Sequence, residues 1–369
     1  MFNSAHYLLG CRFDNWLHLL FQNRFRISVR YLPQALYITL AALVLLPFAL
    51  LEKLIFAIPI RRSKVRQGPL FVLGHWRSGT TFLQNILSRD TQFGWADPVS
   101  VLSFNNCLLL RPLLTAVQRI LLRDARPMDN LDYQVDLPIE ENYAMGSIST
   151  MCIVHMLAFP RLAADYRRAA FIEEMPPARR RRWLRIYRHV LQKLTLVNQG
   201  KRLMLKTPDN TCRMAALHAE YPGSKFIYLY REPYAVIVST IHMFNKMFNR
   251  MALQPAPPPE LVEDTVIDIF RQMHAQYFRD LEQMPASDVI EVRYEDLIHD
   301  PVAGLAEIYE QLGLPGFEAA KPRFEAYVSA QAGYQRNRFK PDQRLRAKVE
   351  RELGFFYDRY HYPRQEVSA

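Results

Sequence analysis

Residues Pro69 to Gly74 (PLFVLG) read as a short buried strand that runs directly into GHWRSGTT, and Thr80 to Asp90 (TTFLQNILSRD) reads as the helix behind it. A glycine-bounded loop between a strand end and a helix start gathers backbone N–H groups at the positive end of the helix, a cradle for phosphate or sulfate. A strand that feeds a covering helix in this way belongs to a parallel sheet, which needs helical crossovers on both faces. Leu203 to Lys206 (LMLK), Lys225 to Arg231 (KFIYLYR) and Val289 to Leu297 (VIEVRYEDL) are further apolar runs, each followed by a segment that can be helical. The expected fold is α/β: a P-loop-type parallel sheet flanked by helices over residues 67–369, preceded by a hydrophobic helical region over residues 1–66. Pro176 to Gln199 is a long helical candidate, and Gln254 to Glu260 (QPAPPPE) is a connection that cannot be helix interior.

The loop has the spacing GxxxxG[K][ST], but Thr80 stands where a lysine would reach the β- and γ-phosphates of a nucleoside triphosphate. The cation is instead Arg77, inside the loop, beside the hydroxyls of Ser78, Thr80 and Thr81. That arrangement suits a terminal phosphate ester better than a triphosphate chain. The plain alternative is a glycine-rich turn with a surface arginine.

These residues resemble the sulfotransferases that use 3′-phosphoadenosine 5′-phosphosulfate (PAPS). GHWRSGTT is similar to their 5′-phosphosulfate loop, which implies donor contacts from Arg77, Ser78, Gly79, Thr80 and Thr81. The second family signature, an arginine and a serine eight residues on that clamp the 3′-phosphate, is supplied by Arg231 and Ser239 in YREPYAVIVS, immediately after KFIYLY. A strand end delivers the arginine, Pro233 opens a helix whose early turns carry the serine, and a dianion accepts charge-assisted bonds from both. PIEENYAM, LKTPDNT, RYEDLIHDP and YQRNRF also resemble blocks of the bacterial branch, so the likeness covers most of Gly68 to Pro363. Two features depart from it. The acidic cluster after Pro138 stops at Glu141, and the carboxy-terminal RxGxxG-like loop is absent, leaving Arg336 and Arg338 to replace it.

The resemblance implies in-line sulfuryl transfer from PAPS to an acceptor hydroxyl, leaving adenosine 3′,5′-bisphosphate, without a required metal. Charge growing on the departing oxygen calls for cations, expected to be Arg77 and Lys206, and the acceptor calls for a base. Glu140 and Glu141 are the base candidates; neighbours on a helix point about 100° apart, so one of the two is expected to face the acceptor. His75 and His242 are held in reserve, because histidine is the base in the cytosolic relatives. Phe244, Met247, Phe248 and Met251 either line an apolar acceptor pocket or, at helical spacing, belong to the core.

Leu36 to Leu51 carries no charge, and after Glu52 and Lys53 the apolar run resumes up to the basic cluster Arg61, Arg62, Lys64 and Arg66. Its sixteen residues reach roughly 24 Å, short of the ~30 Å hydrocarbon core, and Pro47 and the Glu52/Lys53 pair are expected to interrupt a longer span. Upstream, Leu8, Leu9, Phe13, Trp16, Leu17, Leu20 and Phe21 recur at helical spacing ahead of Arg24, Arg26 and Arg30, which suits a helix in the headgroup region. Membrane association is the expected role, with packing on the protein's own core or a second subunit as the alternative.

Lysine and arginine exceed aspartate and glutamate by 47 to 36, a net +11 that favours an anionic partner. Four cysteines without a CxxC pair suggest neither a zinc site nor a disulfide framework, and fit a reducing compartment. No cleaved secretory signal is expected. The expectation is therefore a cytoplasmic enzyme at the cytoplasmic face of the membrane, with a small-molecule or lipid acceptor, no nucleic-acid partner and its oligomeric state open. A P-loop small-molecule kinase and a non-enzymatic basic membrane or nucleic-acid adaptor are the competing readings.

Overall fold

The computed structural model describes residues 3–65, 67–121, 135–331 and 339–364. Arg336 and Arg338 lie outside the described residues. Strands β1 (Leu70–Leu73), β2 (Phe93–Gly94), β3 (Arg202–Lys206), β4 (Lys225–Tyr230) and β5 (Val289–Arg293) form one sheet in the order β2-β3-β1-β4-β5. Every pairing is parallel. Four strands lie where the apolar runs predicted them. The two-residue β2 is too short to leave a hydrophobic pattern.

Alternation along the strands divides the core. Phe71, Leu73, Leu205 and Tyr228 face a large cluster on one side, while Leu70, Val72, Met204 and Leu229 face a smaller one on the other. Central β1 is buried along its whole length. The chain passes from β3 across β1 to β4, and where strand order switches in this way a crevice opens beyond the carboxyl ends. The loop after β1 and the helix Pro233–Met251 after β4 both begin at that edge.

The amino-terminal residues are part of the same body. Tyr7, Leu8, Trp16, Leu19, Ala35 and Ile38 belong to the larger core cluster. Helix α1 (Phe13–Gln22) therefore does not turn the whole of the face the spacing suggested outward: Trp16 and Leu20 are buried in protein, while Phe21 is 68% exposed.

Helix α2 (Leu32–Arg62) is one unbroken run of 31 residues, about 46 Å long. The expected interruption at Pro47 and Glu52/Lys53 is absent. A proline inside a helix removes one hydrogen bond, a loss that packing can carry. The Glu52 charge is taken up by the protein: its buried carboxylate pairs with buried Lys193 of the helix Pro177–Val197 and accepts from the backbone N–H of Leu108 and of Leu109, each at 2.8 Å.

Candidate active site

The loop between β1 and α3 (Thr80–Leu87) is built around two positions that only glycine tolerates. At Gly74 (φ +137°) a Cβ would lie 2.5 Å from the Leu229 carbonyl oxygen; at Gly79 (φ +100°) it would lie 2.3 Å from the Tyr294 ring. Arg77 itself has φ +69°, an uncommon conformation for a side-chain-bearing residue and one found where a site fixes the backbone. Gly74 N–H donates to the buried Thr211 hydroxyl at 2.9 Å, tying the loop to the turn after β3. Thr240 donates to the Trp76 carbonyl at 3.2 Å, tying it to the helix after β4.

The loop's hydroxyls do not all face the same way. Ser78 is buried and donates its hydroxyl to the His75 carbonyl at 2.8 Å, so it braces the turn and is not the ligand hydroxyl expected from the sequence. Gly79, Thr80 and Thr81 do line a cavity of about 660 Å³, together with Arg77, Arg231 and Ser239. Arg77, expected on the phosphosulfate side, and Arg231 and Ser239, expected at the 3′-phosphate, meet here. Arg77 Nε donates to Ser239 Oγ at 2.9 Å, and Arg231 Nη1 donates to the Arg77 carbonyl at 3.3 Å while its guanidinium stacks 4.5 Å from the centre of the Tyr294 ring.

Two cations that the sequence reading missed border the same cavity, Lys340 and Arg346. Arg346 lies 3.9 Å over the Tyr234 ring, delivered by the helix Gln343–Glu352 more than a hundred residues downstream. No local motif marks it; tertiary packing alone puts it there. The cavity's one carboxylate among the described lining residues, Glu232, is engaged by Tyr234 N–H, Ala235 N–H and the Tyr357 hydroxyl at 3.1, 2.7 and 2.9 Å. The polar wall is thus cationic and hydroxyl-bearing, and Val238, Ile298 and Val328 give it an apolar side that suits a nucleobase face.

Beside the loop, β3 pairs with β1 so that Lys206 stands opposite Val72, close to where the loop springs. Lys206 Nζ donates to Glu140 Oε1 at 2.8 Å. The Lys206 side chain is 4% exposed and that of Glu140 18%. Glu141 points elsewhere. It is fully buried, accepting from the Tyr187 hydroxyl at 2.9 Å and Asn210 Nδ2 at 2.7 Å, and burial pushes its carboxyl above the usual range against the pull of Thr207, Asn210 and Tyr187. It is a structural acid under the turn Pro208–Cys212, not a base open to an acceptor. Asn210 continues the network to Arg213 (3.0 Å), whose guanidinium pairs with buried Asp209 at 2.6 Å.

His75 is also withdrawn. It is buried against Phe270 and His274, its pKa lowered to about 4 by that burial. His242 is partly exposed, its ring packs on Phe339 of the cavity wall, and its pKa is lowered first by burial and then by Lys246 and Arg77. Phe244, Met247 and Phe248 are buried in the core, with Phe244 against Trp76, and partly buried Met251 packs on it, as the core alternative for that stripe expects. Among the described residues no cluster of three or more His, Cys, Asp or Glu is placed to hold a metal ion.

Comparison with known proteins places these features. A profile described as the sulfotransferase family matches residues 69–319. Two relatives, the omega-hydroxy-beta-dihydromenaquinone-9 sulfotransferases Stf3 of Mycobacterium bovis and Mycobacterium tuberculosis, are each 29% identical over 362 residues, covering 98% of this chain and 92% of theirs. Two crystal structures share the fold. Sulfotransferase STF1 of Mycobacterium tuberculosis has a TM-score of 0.67 at 16% identity, covering 93% of this chain and 92% of its own. Sulfotransferase STF9 of Mycobacterium avium has a TM-score of 0.63 at 17% identity, covering 85% and 81%. With the strand–loop–helix juncture, the arginine and serine that close on it, and a family match over more than half its length, this chain belongs to the sulfotransferase family.

Proposed function

We propose that the enzyme transfers a sulfuryl group from PAPS to a hydroxyl on a lipid-like acceptor at the cytoplasmic face of the membrane. The observation that carries the donor is the convergence of Arg77, Arg231 and Ser239 on one cavity whose further cations are Lys340 and Arg346. That donor set fits an adenosine nucleotide with phosphate at both ends: guanidinium and hydroxyl for the 3′-phosphate, Gly79, Thr80 and Thr81 for the 5′ side, and apolar residues for the base. When bound, PAPS supplies the activated sulfuryl group.

The chain's own residues supply the rest. Lys206 places positive charge beside the loop, where the departing oxygen gains negative charge. Glu140, the partly exposed member of the pair, accepts the acceptor's hydroxyl proton as the new S–O bond forms and the S–O bond to the nucleotide breaks. Until then the Lys206 ammonium holds the Glu140 carboxylate in place at 2.8 Å beside the loop.

The acceptor class is supported by the relatives that act on a menaquinone derivative and by the apolar surface of α2. The test uses PAPS labelled with radioactive sulfur and an omega-hydroxylated menaquinone in detergent micelles, beside a water-soluble phenol. Labelled sulfolipid with little labelled phenol supports the reading. Transfer to the phenol alone overturns the acceptor class, and no transfer from PAPS to any hydroxyl overturns the activity.

A further inference from the structure

Helix α2 has two faces of opposite character. At about 100° per residue, Leu36, Leu40, Val44, Leu51, Leu54 and Ile58 fall on one side, and all are exposed. Gln34, Ala35, Ile38, Ala42, Glu52 and Ile60 fall on the other, and all are buried. The buried side is anchored to the body in two stretches, Gln34 to Ala42 and Glu52 to Arg61. Gln34 Oε1 accepts from Asn3 N–H at 2.7 Å, the Trp16 indole donates to Thr39 Oγ1 at 2.9 Å, Glu52 meets Lys193, and Gln192 Nε2 donates to the Arg61 carbonyl at 3.4 Å.

We infer that α2 lies in the plane of an anionic membrane leaflet, half sunk by its exposed stripe, and does not cross the bilayer. By length and composition the helix is able to span. Its neighbours forbid it. A spanning helix has hydrocarbon around it for ~30 Å, yet this one is flanked by the helix Pro177–Val197, whose exposed Arg179, Arg181, Arg182, Arg185 and Arg188 would be dragged into the hydrocarbon with it. A helix with one face on protein and one greasy face open satisfies both sides when it floats at the interface.

The partner's chemistry follows from charge. Exposed Arg24, Arg26 and Arg30 stand before the stripe, and exposed Arg61, Arg62 and Lys64 after it. Acidic headgroups complement both ends at once. A second copy of the chain does not, because stacking two stripes in either direction sets basic clusters against each other. The helix Arg111–Leu121, entered shortly after Leu108 and Leu109 donate to Glu52, carries further exposed apolar residues, Leu113, Val117 and Ile120. Seated in this way, the body stays on one side of the bilayer, where a lipid acceptor reaches it laterally; that consequence rests on the lipid-acceptor reading, while the seating itself does not.

The test reads lipid binding and topology, not turnover, so its failure is distinct from failure of the sulfotransferase assay. Full-length protein is added to preformed sealed vesicles of phosphatidylglycerol and phosphatidylethanolamine, then floated on a density gradient. Arg26→Cys and Lys64→Cys variants report the two ends through a membrane-impermeant maleimide, since the four native cysteines are buried. Flotation with both cysteines labelled before lysis is the expected result. One of the two labelled only after detergent lysis means the helix crosses, and overturns the proposal. Val44→Glu with Leu54→Glu, both at exposed positions, should reduce flotation at least about tenfold while the circular dichroism spectrum is kept. Undiminished flotation of that folded variant overturns the proposal, as does wild-type protein that self-associates through the stripe and never floats.

Discussion

Lys206 Nζ donates to Glu140 Oε1 at 2.8 Å, so the cation and the carboxylate that chemistry asks for separately are held as one ion pair at the end of β3. Each fixes the position of the other. In the free enzyme, positive charge is thereby kept near the loop without being spent on the loop itself.

This pairing predicts unequal consequences for the two partners. Lys206→Met should lower kcat by about 10² or more, as removal of a preorganised charge from a reacting centre does, while adenosine 3′,5′-bisphosphate still binds within a few-fold. Glu140→Gln should lower kcat comparably and leave the nucleotide affinity intact. Steady-state kinetics beside equilibrium binding separates these effects, and full turnover in Glu140→Gln removes that residue as the base.

Glu141 should matter for stability and not for turnover. Its carboxyl is raised by burial above the ordinary 4.5, so unfolding releases it to an environment where it ionises more readily. Below that ordinary value both states hold the proton and the group is neutral to stability. As pH rises through the ordinary value towards the folded one, the unfolded chain loses its proton first and stability falls; above the folded value the penalty is complete. Glu141→Gln should therefore flatten the decline in urea-unfolding stability as pH rises above 4.5, and keep near-normal kcat. An unchanged pH slope, or a lost kcat, contradicts this account.

At Gly79 the prediction concerns the backbone. Gly79→Ala adds a Cβ 2.3 Å from the Tyr294 ring at φ +100°, so either the loop or the ring under Arg231 must move. A loss of about 1–3 kcal/mol in stability is expected, with nucleotide affinity falling more than stability explains. Thermal unfolding with and without adenosine 3′,5′-bisphosphate measures both.

Much of this was legible in the chain before folding. Strand ends carry short apolar runs, and the loop and the Arg231–Ser239 spacing are local, so four of the strands and the cavity's Arg77, Gly79, Thr80, Thr81, Arg231 and Ser239 could be read directly. What could not be read depends on packing between distant segments. Nothing local distinguishes Glu140 from Glu141; the difference is that Tyr187 and Asn210 cover one of them. Glu52 looked like a break in an apolar run because its partner, Lys193, is 141 residues away. Arg346 joins the cavity only because its helix folds back on Tyr234.

The Glu52–Lys193 pair yields a further prediction. Removing one member leaves a buried charge without a counterion, so Glu52→Ala should destabilise the protein by about 3–5 kcal/mol. The double replacement Glu52→Leu with Lys193→Met should recover much of that loss. Urea unfolding of the singles and the double in one detergent tests it, and additive losses would mean that the two charges do not depend on each other.

The central claim is a donor site selective for a 3′-phosphorylated nucleotide. It is tested most directly by a thermal-shift titration of wild-type and Arg231→Ala protein with adenosine 3′,5′-bisphosphate, ADP and magnesium ATP. A ligand at about 100 times its dissociation constant adds roughly 2.7 kcal/mol of stability, well within detection. The account predicts a shift with the bisphosphate that exceeds the one with ADP and is largely lost in Arg231→Ala. Equal shifts for the bisphosphate and ADP, or a shift for magnesium ATP alone, would contradict it.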